Sequence, residues 1–238
     1  MTGIKIKKRS LIFFIGMLIS FHCFSQPDTS GGIQYPTHML MPTPAPPEEI
    51  FYKGSVEGGG GVAVPITNRA LRLSLAGVYN LHFSGNYVLA PHIFGGLEFE
   101  DTQLGSTEEN AAYPTLMSIY NAGIKIGYYT YMQQDFLFCY ALSAGPSLIV
   151  YGQALQPAPR QQSFFVTPNM LASYRVNDEL RIGVDFSVLL LTYRFNPAYV
   201  GIAQYLPASY NPNKDNNGVT TCILAGFGLY WAFDEGKR

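Results

Sequence analysis

Side chains of the types used in hydrolytic catalysis are present in the sequence, but they lie far apart along the chain. Ser74, His82, His92 and Asp185 could supply a nucleophile, two bases and an orienting carboxylate. No local signature joins them, and a histidine on the polar face of a strand is more often a hydrogen-bonded filler than a base. We therefore predict that the protein is not an enzyme.

Ligand-binding motifs are likewise incomplete. Asn211, Asn213, Asp215 and Asn217 crowd one segment, but the glycine and the terminal glutamate of a calcium loop are missing at the required spacing. The run Gly58 to Gly61 lacks the Lys-Ser/Thr pair or the spaced glycines of a phosphate-binding loop. We expect no metal and no cofactor, and turn chemistry is the simpler account of the asparagines.

Charge is scarce in this chain of 238 residues. Only 13% of the residues are charged, whereas about 25% is typical of a soluble domain. The formal net charge is -1, and it becomes more negative once the basic residues near the N-terminus are set aside. An apolar, slightly acidic chain is a poor candidate for nucleic-acid binding, so we expect no nucleic-acid partner.

Residues 1–25 have the pattern of a secretory signal peptide. Basic residues at positions 5–9 precede the apolar run Leu11 to Phe21, which is too short to span a bilayer. Cleavage before Gln26 fits the small residues upstream of it. A lipoprotein signal ending at Cys23 is the alternative, although the bulky His22 fits poorly before a lipidated cysteine.

Residues 26–50 are rich in proline and contain no apolar periodicity. Proline favours extended polyproline geometry, so this segment is predicted to be a linker without a packed core. The predicted division of the chain is therefore a signal peptide (1–25), a linker (26–50) and a folded domain (51–238).

Apolar side chains in the folded domain repeat with a period of two, which predicts β-strands. In Leu180 to Leu190, large apolar residues alternate with Arg181, Gly183, Asp185 and Ser187. Eight such strands are predicted: Phe51 to Val64, Ala70 to Phe83, Tyr87 to Phe99, Ser118 to Thr130, Phe136 to Val150, Phe164 to Val176, Leu180 to Leu190 and Val219 to Phe233. Tight turns and long loops alternate between them, as in an up-and-down membrane barrel.

The less apolar face of these strands decides between a soluble and a membrane barrel. A face in contact with water should be rich in charged residues, but here it consists mainly of Gly, Ala, Ser, Thr and Asn. Such residues fit the narrow interior of an eight-stranded barrel, which leaves the apolar face for lipid. Aromatic residues predicted to form a girdle at the periplasmic end are Phe83, Tyr87, Tyr128, Phe136, Tyr174, Trp231 and Phe233.

Over residues 51–233 the chain resembles the small eight-stranded outer-membrane β-barrels of the OmpA/OmpX-like class. The resemblance rests on strand count, turn alternation and the terminal Trp231-Ala232-Phe233, which is similar to the C-terminal aromatic signal for barrel insertion. Phe21 to Gln26 is similar to the signal ends of Bacteroidota outer-membrane proteins. The resemblance implies an all-β, antiparallel, up-and-down transmembrane barrel in the outer membrane, preceded by a signal peptide and a Pro-rich periplasmic arm.

Several charged residues are predicted to face the lumen. They are Glu57, Arg72, Glu98, Lys125, Arg175, Arg181 and Asp185. With a first tight turn at Ser84 to Asn86, Arg72 would lie opposite Glu98 and form an ion pair. Glu57, Lys125 and Asp185 point inward at intermediate depths and could neutralise one another.

Two arginines are predicted to face each other near the third tight turn. Arg175 and Arg181 flank residues 177–179, and like charges directly opposite each other repel. Asp185, on the same face, is the expected counter-charge, and a bound anion is the alternative. Lumenal charges of this kind serve stability more often than conduction.

These features predict a monomeric, non-enzymatic outer-membrane barrel with a structural or interaction role. Besides lipid, a periplasmic or cell-surface protein is the expected partner, contacted through the periplasmic arm and the external loops, above all Asn196 to Gly218 with Tyr199, Tyr205 and Tyr210. One alternative is a narrow channel or transporter for small solutes. Another is an accessory component of a type IX secretion or other envelope machinery, because Asn196 to Gly201 is similar to a stretch near the mature N-terminus of PorP/SprF-type proteins.

Overall fold

The structure is a computed structural model, and it describes residues 50–106, 115–133, 135–152, 160–196, 208–209, 211 and 218–237. The predicted signal peptide and nearly all of the predicted linker lie outside these ranges. So do Tyr199, Tyr205 and Tyr210 of the predicted contact loop, and Asn213, Asp215 and Asn217 of the asparagine-rich segment. The features described below therefore belong to the folded domain.

The described chain forms one closed antiparallel barrel of eight strands, in which each strand pairs with its neighbours in sequence and the last pairs with the first. The strands are β1 (Ile50–Pro65), β2 (Leu75–Ala90), β3 (Ile93–Ser106), β4 (Leu116–Gln133), β5 (Phe136–Gly152), β6 (Arg160–Arg175), β7 (Leu180–Leu191) and β8 (Thr220–Lys237). A short helix, α1 (Arg69–Ser74), connects β1 to β2. The predicted all-β, up-and-down architecture is confirmed.

Each strand directs alternate side chains outward and inward, because successive side chains of a strand point to opposite faces. In β7, Ile182, Val184 and Phe186 are exposed on the outside, whereas Asp185 and Ser187 are buried inside. Large apolar side chains cover the outside of the other strands in the same way. An apolar exterior around a packed, partly charged lumen is the reverse of a soluble barrel, so the chain is a transmembrane barrel of the outer-membrane type.

The connections define two different ends of the barrel. The turn end carries the short connections at residues 91–92, 134–135 and 176–179, and Ile50 pairs there with Lys237. The loop end carries α1 and the connections 107–115, 153–159 and 192–219. Outer-membrane barrels place their short turns in the periplasm, so the turn end is the periplasmic end.

The first tight turn lies at residues 91–92, and our prediction of a turn at Ser84 to Asn86 is wrong. Ser84 pairs with Glu98, and β2 continues through this segment to Ala90. Ser84 and Asn86 are both buried in the lumen, where a strand can place their polar side chains. The turn itself uses His92, whose φ is 65°.

Residues 70–74, predicted as the start of the second strand, form α1 instead. The Asn68 side chain caps the helix, because its Oδ1 accepts a hydrogen bond from the Leu71 backbone N–H at 3.4 Å. Leu71 is fully buried at the loop end, while Leu73 is exposed. Among the described residues, no helix is long and apolar enough to cross a membrane.

Buried apolar side chains fill the lumen near both ends. The loop-end layer contains Ala63, Ala70, Leu71, Leu75, Leu104, Met117, Ile119, Ile149, Tyr151, Phe165, Leu189, Leu191, Tyr193, Phe195, Cys222 and Leu224. The turn-end layer contains Phe94, Tyr129, Leu137, Cys139, Leu171, Tyr230 and Ala232. Between these two layers the lumen is occupied by buried polar and charged side chains, which we call the charged layer.

Candidate functional site

Lys125 of β4 lies at the centre of the charged layer. Its Nζ is 2.7 Å from Glu57 Oε2 and 3.2 Å from Glu98 Oε2. All three residues are at most 4% exposed. Side chains from β1, β3 and β4 can meet because the lumen of an eight-stranded barrel is just wide enough for side chains to fill it. One ammonium group is therefore shared by two buried carboxylates.

Neutral donors complete the hydrogen bonding of both carboxylates. Ser84 Oγ donates to Glu57 Oε2 at 2.9 Å, and Asn86 Nδ2 donates to the same oxygen at 3.2 Å. Ser143 Oγ donates to Glu98 Oε2 at 2.7 Å. The network thus extends to β2 and β5, and it fixes the rotamers of the charged side chains across five strands.

His82 of β2 and Asp185 of β7 form a second polar contact across the lumen. His82 Nε2 is 3.2 Å from Asp185 Oδ2, and Asn169 Nδ2 of β6 donates to Asp185 Oδ1 at 2.7 Å. Of the predicted cluster of three charges, Glu57 and Lys125 contact each other directly. Asp185 is held by His82 and Asn169 instead.

Glu100 of β3 is a buried lumenal residue that sequence reasoning missed. Its Oε1 accepts hydrogen bonds from Asn80 Nδ2 at 2.8 Å and Thr102 Oγ1 at 3.0 Å, and its Oε2 accepts one from Asn121 Nδ2 at 3.2 Å. The predicted strand ends at Phe99, which places Glu100 in a loop. Its spacing of two from Glu98 was the available signal, because residues i and i+2 of a strand share a face.

The predicted ion pair between Arg72 and Glu98 does not form. Arg72 lies in the last turn of α1 and is exposed, whereas Glu98 is buried beside Lys125. The error has two causes, namely the misplaced first turn and the helix at residues 69–74. Together they remove Arg72 from the lumenal face of β2.

Arg175 and Arg181 do pair across the third turn, but Asp185 is not their counter-charge, so that prediction is wrong. Arg175 Nη2 contacts Asp178 Oδ1 at 2.5 Å. Arg181 is 1% exposed, donates to the Asp135 carbonyl oxygen at 3.1 Å and lies 5.4 Å from the centre of the Tyr131 ring. Each arginine thus has its own partners near the turn end.

All seven aromatic residues of the predicted girdle are exposed on the outside of the barrel. Phe83 lies near the middle of β2, where it pairs with Phe99, so its assignment to the periplasmic end is wrong. Phe83 is seven residues from the end of β2, because the first turn lies beyond Ala90. The remaining six residues lie near the turn end: Tyr87, Tyr128, Phe136, Tyr174, Trp231 and Phe233.

The four residue types of hydrolytic catalysis are not brought together. Ser74 ends α1 at the loop end, and His92 lies in a turn at the opposite end. His82 and Asp185 do contact each other, but inside a lumen that both apolar layers close. In the described part of the chain, no group of three or more His, Cys, Asp or Glu side chains could hold a metal ion.

The lumen is closed to solvent on both sides of the charged layer. Leu104, Met117, Ile119, Ile149 and Leu189 of the loop-end layer are 0% exposed. A water-filled passage along the barrel would leave accessible surface on these side chains. The described lumen therefore behaves as a packed core that encloses the charged layer.

No protein-family model matches the chain, and no curated protein matches it. Three solved structures show how the barrel aligns with known ones. Neisserial surface protein A aligns over 76% of this chain and 97% of its own, at 12% identity and a TM-score of 0.46. Ail of Yersinia pestis, solved with the heparin analogue sucrose octasulfate, covers the same shares at 8% identity and a TM-score of 0.43.

The outer-membrane protein OprG of Pseudomonas aeruginosa aligns over 75% of this chain and 96% of its own, at 11% identity and a TM-score of 0.41. These are small outer-membrane barrels, as this chain is by its own strand pairing and apolar exterior. The chain is an outer-membrane β-barrel. Likenesses at these identities do not extend to function.

Proposed function

We propose that the protein is a non-enzymatic, non-conducting outer-membrane barrel that acts as a monomeric scaffold for its connections. The proposed contact surfaces are the external loops, with residues 196–218 foremost, and the Pro-rich periplasmic arm. The proposed partner is a periplasmic or cell-surface protein. Function on connecting segments held by a rigid framework is common, and the closed barrel supplies such a framework.

The observation that carries this proposal is the filled lumen. Three layers of side chains occupy the barrel, and those of the two apolar layers are almost completely buried. At the level of Lys125, five strands contribute hydrogen-bonded side chains to one network. A channel or a lumenal enzyme needs a path for its solute or substrate, and this packing favours neither.

Single-channel recording in planar bilayers tests the non-conducting part of the proposal. The purified barrel is expected to give no conductance above that of detergent alone, while a large porin inserted under the same conditions conducts as a water-filled barrel does. Reproducible unitary currents from the wild-type barrel, absent from a preparation of heat-unfolded protein, would refute the proposal and support the channel alternative.

Deletion variants test the scaffold role. Residues 197–217 or residues 27–45 are replaced by short Gly-Ser linkers, and cross-linked complexes are recovered from intact envelopes. A partner held by one of these segments should be lost with its deletion and retained with the other, while the barrel still folds. Identical cross-linked species in the wild type and both variants would contradict an interaction through these segments.

A further inference from the structure

The charged layer contains more carboxylates than cationic groups. Its described ionisable side chains are Glu57, Glu98, Glu100, Asp185, Lys125 and His82. Lys125 is shared by Glu57 and Glu98, and His82 contacts Asp185. No salt bridge among the described residues includes Glu100, although it is only 5% exposed. Lys125 balances only one of its two carboxylates, and Glu100 is the carboxylate of this layer that no described salt bridge includes at all.

Neutral groups surround the carboxyl group of Glu100. Its two oxygens accept three hydrogen bonds from Asn80, Thr102 and Asn121, all of them neutral donors. Such donors stabilise a carboxylate but leave its net charge in place. An isolated charge in a medium of low dielectric constant is costly unless an opposite charge lies beside it.

Glu100, Asn121 and Ser147 follow one another across β3, β4 and β5, and two neutral oxygens in this row have no hydrogen-bond partner. Asn121 Oδ1 and Ser147 Oγ are both buried and unpartnered, and each residue is 3% exposed. The Asn121 amide lies against the Glu100 carboxylate, because its Nδ2 donates to Oε2. Ser147 is directly opposite Asn121 in the pairing of β4 with β5. Buried polar atoms are almost always satisfied, so unpartnered oxygens on neighbouring strands indicate a bound species.

We infer that Glu100, Asn121 and Ser147 form a binding site for a monovalent metal cation, with Na⁺ as the probe ion. The ligand set consists of oxygen atoms alone, which hard cations prefer. The layer as a whole holds four carboxylates against one lysine and one histidine, and a monovalent ion matches the single carboxylate among the three proposed ligands. Because both apolar layers seal this part of the lumen, the cation enters while the barrel folds and is retained afterwards.

The test is to refold the full-length protein into detergent micelles in sodium chloride or in N-methyl-D-glucamine chloride of equal ionic strength. The organic cation is too large for the lumen, so only sodium can occupy the site. At a hundredfold excess over its dissociation constant, sodium should raise Tm, followed by circular dichroism, by about 5 to 10 °C. Equal Tm values in the two salts would overturn the inference.

Variants separate the site from other effects of salt. Glu100→Gln keeps the shape of the side chain but removes the charge, so its Tm should be the same in both salts. Asp185→Asn, a matched change in the same layer, should keep the sodium effect. A sodium effect of equal size in Glu100→Gln would overturn the inference.

A direct measurement does not depend on the variants folding. Wild-type protein refolded in sodium chloride is dialysed against N-methyl-D-glucamine chloride, and bound sodium is counted by elemental mass spectrometry. We expect close to one retained Na⁺ per barrel. The site would be refuted if the wild-type protein retained no sodium. It would also be refuted if Glu100→Gln retained the same amount as the wild type, since that result would indicate an adventitious ion only.

Discussion

Replacement of Lys125 by methionine should strongly destabilise the barrel. Lys125 Nζ lies 2.7 Å from Glu57 and 3.2 Å from Glu98, and the three side chains are at most 5% exposed. Methionine fills a similar volume but leaves both carboxylates buried without their cation. Removing one partner of a buried pair costs about 3 to 5 kcal/mol, and two carboxylates are affected at once. The expected loss of unfolding free energy is therefore near the upper end, about 4 to 5 kcal/mol.

The free energy of unfolding can be measured by urea titration in micelles. Trp231 is the single tryptophan of the chain and lies on the lipid-facing side, so its fluorescence reports loss of the barrel. Arg72→Met is the matched control, because Arg72 is exposed on α1 and should change stability by no more than about 0.5 kcal/mol.

A second variant decides whether the cost comes from unpaired charge. A triple variant combines Lys125→Met with Glu57→Gln and Glu98→Gln, so that all three of these side chains become neutral. It should recover most of the lost stability, since a neutral replacement of a buried ion pair is often tolerated. The reasoning fails if Lys125→Met costs less than about 1 kcal/mol, below the range for a broken buried pair. It also fails if the triple variant is as unstable as the single one.

Three further perturbations probe the helix, the close backbone contacts and the lipid face. Leu71→Ala should cost about 2 to 5 kcal/mol by urea titration, because Leu71 is 0% exposed, while Leu73→Ala, on the exposed face of α1, should be nearly neutral. Gly183→Ala should lower the yield of refolded protein measured on gels, since the added Cβ would lie 2.2 Å from the Ala172 carbonyl oxygen. Gly85→Ala is the control and should refold normally, because a Cβ at this position has no atom within 4 Å. Ile124→Arg should destabilise the barrel in lipid vesicles by about 2 to 4 kcal/mol, and an unchanged transition would contradict a lipid-facing position.

The prediction of strands from period two was reliable where the two faces differ in chemistry. In β7, large apolar residues alternate with small or polar ones from Leu180 to Val188, and the predicted and observed strands agree within one residue. The same signal failed at residues 70–74, because Leu71, Leu73 and Leu75 fit an outward stripe of a strand equally well. Only the tertiary structure shows that Leu71 is buried in the loop-end layer and that Asn68 caps a helix there.

The position of the turn between two strands sets their register, and so it decides which residues lie opposite each other. Ser84-Gly85-Asn86 has the residue types of a tight turn, and the sequence therefore predicts one there. In the structure, Gly85 lies within β2, faces outward and pairs with Leu97. Moving the turn to residues 91–92 changed the partner of Glu98 from Arg72 to Lys125. Sequence reasoning recognised that lumenal charges exist, yet it could not assign their partners across the barrel.

The sequence by itself determined the kind of solvent that each face of the barrel meets. Charge is scarce, apolar residues repeat with a period of two, and small polar residues occupy one face of the strands. This pattern requires lipid outside and a narrow packed lumen inside. It can be recognised in the sequence because side-chain type and strand alternation are local properties. The tertiary structure decided which lumenal groups meet, that Glu100 and not Glu57 is left without a counter-charge, and that α1 packs into the loop end. These outcomes depend on strand register and on contacts between residues distant in sequence, which closure of the barrel fixes and no local pattern encodes.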